Sequence, residues 1–338
     1  MRYFNNLVLG LFLSVLLLSS CAGEPEPVEV ETGPEFVFLV HGGAGVFNPD
    51  NLPDGREEEY LDAVNKALDI GRDILAGGGT ALDAVEKAIV FLEDNPIFNA
   101  GKGAVFTADG TNELDASIMD GISLNAGAVG GVKTVKNPIT AARKVMEVSP
   151  HVLLVGSGAE QFSASQGYEI VDPGYFYTAE RFDVLQRVQQ REAGEQRTIQ
   201  DKTGTVGAVA RDKHGNLAAG TSTGGMTNKR FGRIGDSPII GAGTYADNSG
   251  VAVSCTGHGE YFIRHAIAYD LNALYKYREI SLDSAASFLI HKKLPNAGGT
   301  GGLIAVDTSG NYSMPFNTNG MIRGVVTSEH RESAVYRE

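Results

Sequence analysis

Three short stretches in the second half of the sequence carry side chains suited to acyl transfer. Gly204-Thr205 lies where a polar segment meets an apolar, β-type run, and Thr221-Ser222-Thr223 ends the next such run. The loop from Arg233 to Asp236 places a cation and an anion three positions apart, and the turn from Cys255 to Glu260 carries glycines that can expose backbone N–H groups at a helix start. Hydroxyl groups, an ion pair and a donor-rich turn together favour acyl transfer on a zwitterionic substrate.

A different acyl-transfer chemistry fits one of these stretches less well. Residues 220–224 match G-x-S-x-G, the nucleophile elbow of serine esterases, and His41-Gly42-Gly43 resembles the oxyanion loop of lipases. The elbow requires a helix directly after the turn. Residues 225–232 contain two basic residues, two glycines and no apolar period, so the sequence disfavours a serine esterase.

The first twenty residues have the pattern of an export signal. Arg2 precedes an apolar run from Leu7 to Leu18, which is short for a membrane span. The run ends in Leu18-Ser19-Ser20-Cys21, which resembles the bacterial lipobox. This resemblance implies that residues 1–20 are a lipoprotein signal peptide, that Cys21 carries a lipid, and that the mature chain is anchored in the bacterial cell envelope, facing the periplasm. An ordinary signal peptide and an uncleaved anchor are the alternatives.

Composition limits the partners that we expect. The net charge of −13 gives the chain no general attraction to nucleic acid. Residues 21–35 are rich in Glu and Pro and cannot bury a core, so we expect an acidic tether there. With Cys21 lipidated, Cys255 has no partner for a structural disulfide. The histidines show no spacing typical of a transition-metal site.

Periodicity along the chain predicts sheets covered by helices. The run 36–40 predicts a strand buried on both faces, and residues 103–132 contain hairpin signals. Residues 184–202 predict a frayed helix and an exposed loop, with a flexible linker at 195–204. Helical patterns cover residues 56–76, 81–93, 138–147, 259–277 and 281–292. Between and after them lie β-type runs, which indicates a layered α+β fold.

Several motifs together resemble the plant-type asparaginase and isoaspartyl peptidase family. They are GTVGAVA at 204–210, TSTGGMTNK at 221–229, GRIGDSP at 232–238 and CTGHGE at 255–260, with shorter matches at 41–45, 98–101, 113–116 and 315–318. The resemblance extends from about residue 36 to the C-terminus. It implies an N-terminal nucleophile hydrolase with a four-layer αββα sandwich, made as an inactive precursor. It also implies cleavage between Gly204 and Thr205, which yields an α part at 36–204 and a β part at 205–338.

The resemblance also implies a role for individual residues. Thr205 becomes the N-terminal nucleophile, Thr223 polarises its hydroxyl, and the Thr256 hydroxyl and Gly257 N–H form the oxyanion hole. Arg233 binds the substrate α-carboxylate, and Asp236 binds the α-ammonium group with help from the Gly259 carbonyl. Asn99 orients groups near the scissile bond, although a turn residue is the alternative for it. For Arg233 and Asp236 the alternative is a structural surface pair.

The same resemblance implies one ion and one assembly. No cofactor is required, but a structural Na⁺ is expected on the backbone carbonyls of Leu92, Glu93, Asn95, Phe98, Ala100 and Lys102. The cleaved protein is expected to form a dimer of α–β heterodimers. We expect membrane contact only through the lipid.

The leaving group of the substrate is less well defined than its aspartyl half. L-Asparagine, β-aspartyl dipeptides and glycan-linked asparagine share the half that Arg233 and Asp236 would read. Residues 224–229 resemble the isoaspartyl peptidase branch more than the glycosylasparaginase branch. The sequence therefore predicts a β-aspartyl peptidase with L-asparaginase activity. The alternatives are a glycosylasparaginase and a non-catalytic, lipid-anchored binding protein.

Overall fold

Two β-sheets pack face to face, and each is covered by helices on its outer side. The computed structural model describes residues 33–47, 52–193 and 204–336. The expected signal peptide, Cys21, nearly all of the tether and the linker up to residue 203 lie outside the described residues. Within the described ranges, no helix combines the length and the apolar character that crossing a membrane needs.

The larger sheet has eight strands within the described residues. Their spatial order is β12 (Arg331–Tyr336), β11 (Gly320–Thr327), β1 (Val37–Gly45), β5 (Val206–Arg211), β6 (Leu217–Thr223), β2 (Leu114–Asp120), β3 (Ala126–Val132) and β4 (Leu153–Val155). Neighbouring strands are antiparallel except for β3 and β4, which are parallel. The smaller sheet is antiparallel, in the order β10 (Tyr312–Ser313), β9 (Gly301–Asp307), β8 (Val251–Gly257) and β7 (Thr244–Ala246).

The described α-helices fall into two groups along the chain. The first group is α1 (Arg56–Ala76), α2 (Ala81–Asp94), α3 (Pro138–Val148), α4 (Gly156–Ser165) and α5 (Ala179–Ala193). The second group is α6 (Gly259–His265), α7 (Ile267–Arg278), α8 (Leu282–Phe288) and α9 (Leu294–Asn296). Helices α1, α2 and α3 pack on the larger sheet, whereas α7 and α8 pack on the smaller one. These four layers are the αββα sandwich of the α+β class that the sequence predicts.

Strand β1 shows why the larger sheet is apolar on both faces. Its side chains alternate along the strand. Phe38 and Val40 join the core beneath the helices, while Val37 and Leu39 join the core between the two sheets. The prediction of a doubly buried strand at this position is confirmed.

The helices after residue 258 differ from the prediction. The pattern at 259–277 forms two helices, because Ala266 adopts a left-handed conformation with φ 47° and ends α6. The pattern at 281–292 forms α8, which continues as a π-helical turn at Leu289–Lys293. The sequence also missed α4 and placed the start of α5 five residues late.

Candidate active site

Thr205 directly precedes the central strand β5 of the larger sheet. Val206 pairs with Ser222 of β6, and the adjacent Gly207 pairs with Thr221. This register brings Thr205 next to Thr223, and the hydroxyl oxygens of the two threonines are 3.1 Å apart. The Thr205 hydroxyl donates in this contact, and Thr223 Oγ1 also accepts the Gly225 N–H at 3.0 Å. The Thr223 oxygen is therefore fixed by the turn that follows β6.

Side chains on β6 alternate as the strand predicts. Thr223 lies on the side of the cavity, whereas the Ser222 hydroxyl points to the helix layer and donates to Glu93 at 2.6 Å. Ser222 therefore faces away from its threonine neighbours, as alternation along a strand requires. Its hydroxyl contributes to the support of the strand and does not line the cavity.

The end of β8 brings a third threonine to the same region from the smaller sheet. The Thr256 hydroxyl oxygen accepts the Ala44 N–H at 3.2 Å. Gly257 has φ +146°, and a Cβ there would lie 2.4 Å from the Thr300 carbonyl oxygen. Only glycine fits this turn, so its backbone can lie at the wall of the cavity.

The glycine turn at the end of β1 lies against the Gly204-Thr205 bond. A Cβ on Gly43, which has φ +112°, would lie 2.2 Å from the Gly204 Cα atom. The His41 Nδ1 atom is 3.0 Å from the Thr205 carbonyl oxygen. The backbone on both sides of Thr205 is thus held by residues of β1.

Arg233 meets a carboxylate that the sequence interpretation did not assign. Its Nε and Nη2 atoms donate to the two oxygens of Glu260 at 2.9 and 3.1 Å. Burial of Glu260 acts to raise the pKa of this carboxyl, but the hydrogen bonds from Arg233 and its charge outweigh burial, so the pKa lies below its usual value. The Arg233 Nη1 atom has no hydrogen-bond partner among the described residues and would lie 2.8 Å from a Cβ on Gly235, which lines the cavity.

Asp236 is a buried carboxylate that lacks one partner. The residue is 4% exposed, and its Oδ2 atom has no hydrogen-bond partner within the described part of the chain. Burial raises the pKa of Asp236 to about 7, although the nearby charge of Arg233 acts to lower it. A carboxylate in this setting favours a cationic ligand, because such a ligand supplies both the missing hydrogen bond and the missing charge.

Gly259 separates the two charged groups. A Cβ at residue 259 would lie 2.7 Å from Asp236 Oδ1 and 2.9 Å from Arg233 Nη2. Any larger residue would push the cation and the carboxylate away from their positions. The backbone of residue 259 is therefore close to both groups, as binding of one zwitterion requires.

Asn99 holds the turn after β6. Its side-chain nitrogen donates to the Gly225 carbonyl at 2.8 Å, and its Oδ1 atom accepts the Val105 N–H at 3.0 Å. These bonds fix the backbone that carries Thr223 and Gly225. The predicted role of Asn99 during maturation stays a prediction, while its structural role at the turn is visible.

One cavity collects most of the predicted site residues. Its walls are formed by Ala44, Gly204, Thr205, Thr223, Gly225, Met226, Arg233, Gly235, Asp236, Ser237 and Gly257. The predicted residues Asn99, Thr256 and Gly259 lie next to these walls and do not form them. The proposed lipid carrier Cys21 lies outside the described residues.

The segment that the Na⁺ prediction names runs from the last turn of α2 into the loop after it, and its backbone packs closely. A Cβ on Gly101 would lie 2.4 Å from the Glu93 carbonyl oxygen, and one on Gly103 would lie 2.1 Å from the Phe98 carbonyl oxygen. The chain thus folds closely around several carbonyl groups, which are ligands that hard cations prefer. The donor chemistry of this loop fits Na⁺.

Sequence reasoning missed the groups that hold the site residues in place. Glu260 belonged to a recognised motif but received no role, and the contacts of His41 with Thr205 and Ser254 were not predicted. Buried hydroxyls on other strands were missed because Ser and Thr in a strand resemble ordinary strand residues. The sequence signal for them is a β-type run, otherwise apolar, in which hydroxyl residues alternate with apolar ones.

Comparison with known proteins agrees with this geometry. The family described as asparaginase matches residues 34–336. An isoaspartyl peptidase of Salmonella typhimurium is 51% identical over 311 residues, which cover 89% of this chain and 99% of that protein. An isoaspartyl peptidase of Escherichia coli is 49% identical, with 89% and 96% covered. A human isoaspartyl peptidase/L-asparaginase is 43% identical, with 84% and 91% covered.

Proposed function

Because the chain belongs to the asparaginase family, we propose that it is a hydrolase that releases aspartate from β-aspartyl (isoaspartyl) peptides and from L-asparagine. One observation carries this proposal. Thr205, Arg233 and Asp236 line the same cavity, and the Asp236 Oδ2 atom has no hydrogen-bond partner among the described residues. A nucleophile, a cation and an anion in one cavity match the β-carbonyl, α-carboxylate and α-ammonium groups of an aspartyl substrate.

Activation begins at the bond between Gly204 and Thr205. The Thr205 hydroxyl attacks the Gly204 carbonyl, and an N→O acyl shift gives an ester and a free α-amine. Water then hydrolyses the ester and leaves Thr205 as a new N-terminus. Such an α-amine titrates near pH 7.7–8.0, so it can accept the proton of its own hydroxyl at neutral pH.

Turnover then uses the same hydroxyl. Thr205 Oγ1 attacks the β-carbonyl of the substrate while the α-amine takes the proton, and that proton later passes to the leaving amine. A water molecule hydrolyses the acyl-enzyme, which frees aspartate and the Thr205 hydroxyl. The Thr223 hydroxyl, 3.1 Å from Thr205 Oγ1, is in place to keep the nucleophile oriented.

The oxyanion of each tetrahedral intermediate needs hydrogen-bond donors beside the cavity. The Thr256 oxygen already accepts the Ala44 N–H, so its own proton remains for donation. Acceptance of that bond also polarises the hydroxyl and makes it a better donor. Together with the Gly257 N–H it would form a two-donor oxyanion hole.

The proposal predicts that self-cleavage precedes activity. Purified protein lacking residues 1–21 is incubated and analysed by intact mass and N-terminal sequencing. We expect two fragments, with the smaller beginning Thr-Val-Gly-Ala-Val, and release of aspartate from β-aspartyl dipeptides and L-asparagine. A single chain that stays uncut and inert toward both substrates would overturn the proposal, and turnover of only glycan-linked asparagine would shift it to a glycosylasparaginase.

We also propose that the mature protein is a lipid-anchored component of the cell envelope. The lipobox-like sequence that ends in Cys21 supports this location. The test is expression of the full chain in a bacterium fed a labelled fatty acid. The label should enter the protein, partition with membranes and disappear in Cys21→Ser. Label in the Cys21→Ser variant would contradict the proposal.

Two further proposals concern the assembly of the cleaved chains and a bound ion. We expect the cleaved chains to assemble as a dimer of heterodimers, which sedimentation of the mature enzyme would measure. We also expect Na⁺ on the backbone carbonyls between Leu92 and Lys102, and the close packing of this backbone around Gly101 and Gly103 supports that site. A higher melting temperature in NaCl than in tetramethylammonium chloride of equal ionic strength would support that site.

A further inference from the structure

A chain of buried side chains crosses the space between the two sheets and ends at the nucleophile residue. Its members each touch the next one through a hydrogen bond, and each is less than 1% exposed. In order, they are Ser117 of β2, Thr244 of β7, Thr221 of β6, Ser254 of β8 and His41 of β1. The consecutive distances between their polar atoms are 2.8, 2.6, 2.7 and 2.9 Å. We call these five side chains the hydroxyl chain.

The two ends of the hydroxyl chain are backbone carbonyl groups of the active site. At one end, His41 Nδ1 lies 3.0 Å from the carbonyl oxygen of Thr205. At the other, the Ser117 hydroxyl lies 2.6 Å from the carbonyl oxygen of Ser237, which follows Asp236. The hydroxyl chain therefore connects the residue that carries the nucleophile with the loop that carries the proposed ammonium ligand.

The direction of donation follows from the groups themselves. A carbonyl oxygen can only accept, so His41 must carry its proton on Nδ1. Burial lowers the pKa of His41 to about 3, so the ring is neutral and its Nε2 atom can only accept. Ser254 must then donate to His41, and its single proton is used.

The same reasoning fixes the remaining bonds. Because Ser254 has spent its proton, Thr221 must donate to Ser254, and Thr244 must in turn donate to Thr221. Ser117 has one proton for two acceptors, the Thr244 hydroxyl and the Ser237 carbonyl, so it shares that proton and begins the chain. From Thr244 onward each donor then points toward Thr205, and bonds aligned in this way strengthen one another, whereas Ser117 also donates in the other direction, to the Ser237 carbonyl.

Gly207 gives independent support for a built arrangement. Its backbone lies beside the contact between His41 and Ser254. A Cβ on Gly207 would lie 2.0 Å from the Ser254 hydroxyl oxygen and 2.4 Å from His41 Nε2. Space for this one hydrogen bond therefore depends on a glycine in the strand that follows the nucleophile.

We propose that the hydroxyl chain is a positioning device that fixes the backbone of Thr205 relative to the loop of Asp236. It sets the distance between the attacking oxygen and the bound α-ammonium group of the substrate. None of its five members touches the substrate, so their effect acts through Thr205 and Ser237. The positioning role rests on the proposed hydrolase function, whereas the direction of donation does not.

Nuclear magnetic resonance of the full mature protein with ¹⁵N-labelled histidine tests the direction of donation. We expect His41 to be neutral with its proton on Nδ1, and this signal to vanish in His41→Gln. A proton on Nε2, or a doubly protonated ring, would overturn the assigned direction. This measurement gives its result whether or not the protein hydrolyses any aspartyl substrate.

The positioning role is tested at Thr221, where shape and hydroxyl can be separated. Thr221→Val keeps the shape and removes the hydroxyl, and Thr221→Ser keeps the hydroxyl. Loss of one bond in the chain should lower kcat about tenfold in Thr221→Val, with a smaller change in KM, and shift the His41 Nδ1–H resonance upfield. Thr221→Ser should restore both.

A matched control separates positioning from general destabilisation. Thr327→Val removes a buried hydroxyl on β11, where it accepts the N–H groups of Glu329 and His330. We expect this variant to lose stability without changing kcat or the His41 resonance. If Thr221→Val keeps the wild-type kcat and the wild-type resonance, the positioning role is wrong. If the wild type itself turns over no aspartyl substrate, the proposed function is wrong. The His41 resonance still tests the direction of donation along the hydroxyl chain in that case.

Discussion

Glu260 binds the side edge of the Arg233 guanidinium through two hydrogen bonds of 2.9 and 3.1 Å. The Nε and Nη2 atoms make these bonds, so the end formed by Nη1 and Nη2 is the part left for another carboxylate. That end lies against Gly235 and Gly259, at the cavity that Asp236 also borders. One guanidinium can thus bind a protein carboxylate and a substrate carboxylate at the same time.

Glu260→Gln should weaken substrate binding more than it slows chemistry. The amide keeps one acceptor but loses the charge-assisted pair that orients Arg233. We expect KM for a β-aspartyl dipeptide to rise about fivefold while kcat changes less than about twofold, because the pair is partly exposed and of moderate strength. Steady-state kinetics measure both values.

Glu180→Gln is the control for this change. Glu180 is also an exposed partner of an arginine, Arg56, at 3.2 Å, but it lies on α5 away from the cavity. Its KM should equal that of the wild type. A fall in kcat with unchanged KM in Glu260→Gln would mean that Glu260 acts on the reaction and not on the binding of the α-carboxylate.

The pKa of Asp236, raised to about 7 by burial, predicts opposite pH effects for two inhibitors. The α-ammonium of L-aspartate needs the ionised carboxylate, which the free enzyme loses as pH falls through about 7. Inhibition by L-aspartate should weaken about tenfold from pH 8 to pH 6. Succinate has the same two carboxylates and no ammonium group, so its inhibition should strengthen over the same range.

Comparison of the two inhibitors separates the effect of Asp236 ionisation from the effect of ionisation of the Thr205 α-amine. Both inhibitors would meet that amine in the same charge state, so only the response to Asp236 differs between them. Parallel pH profiles for L-aspartate and succinate would exclude Asp236 as the ammonium ligand. Inhibition constants against β-aspartyl dipeptide hydrolysis are the measurement.

The sequence predicted which residues line the site better than it predicted which residues hold them in place. Thr205, Thr223, Arg233, Asp236 and Gly257, to which the family resemblance gives roles, line one cavity. Motifs do not encode long-range contacts such as that of Glu260 with Arg233, because a glutamate in the first turn of a helix is typical of a solvated surface. The left-handed Ala266 that divides α6 from α7 has no glycine or proline to mark it.

Gly43→Ala should slow self-cleavage without unfolding the protein. The new methyl group would lie 2.2 Å from the Gly204 Cα atom, and φ +112° is strained for alanine. Displacement of the scissile carbonyl by about 1 Å should slow cleavage about a hundredfold. Appearance of the fragment that begins at Thr205, followed by gel electrophoresis, measures the rate.

Gly158→Ala provides the matching control. No atom lies within 4 Å of a Cβ at residue 158, on the exposed side of α4, and its φ is not in the left-handed region. Cleavage of this variant should proceed at the wild-type rate. Normal cleavage in Gly43→Ala would show that the contact between the glycine turn and Gly204 does not position the scissile bond.

The buried carboxyl of Glu93 should make the folded protein less stable as the pH rises from about 4.5 to about 8. Burial raises the pKa of this carboxyl to about 8 in the folded protein, against its hydrogen bonds from Ser222 and Ile139, which act to lower it. The folded state therefore retains a proton that the unfolded state releases above about pH 4.5. Its contribution to stability is complete below that pH and is lost as pH rises toward about 8.

Glu93→Gln should remove this pH dependence, because the amide keeps the acceptor for Ser222 and Ile139 and cannot ionise. The comparison uses a Thr205→Ala background, where the chain stays intact. From pH 6 to pH 8, the free energy of unfolding of the variant should rise by roughly 2 kcal/mol relative to that of its parent. Unfolding in urea at the two pH values measures the difference. Glu180→Gln, an exposed carboxylate on α5, should show no such gain. An equal pH dependence in Glu93→Gln and its parent would mean that Glu93 is already ionised in the folded protein at neutral pH.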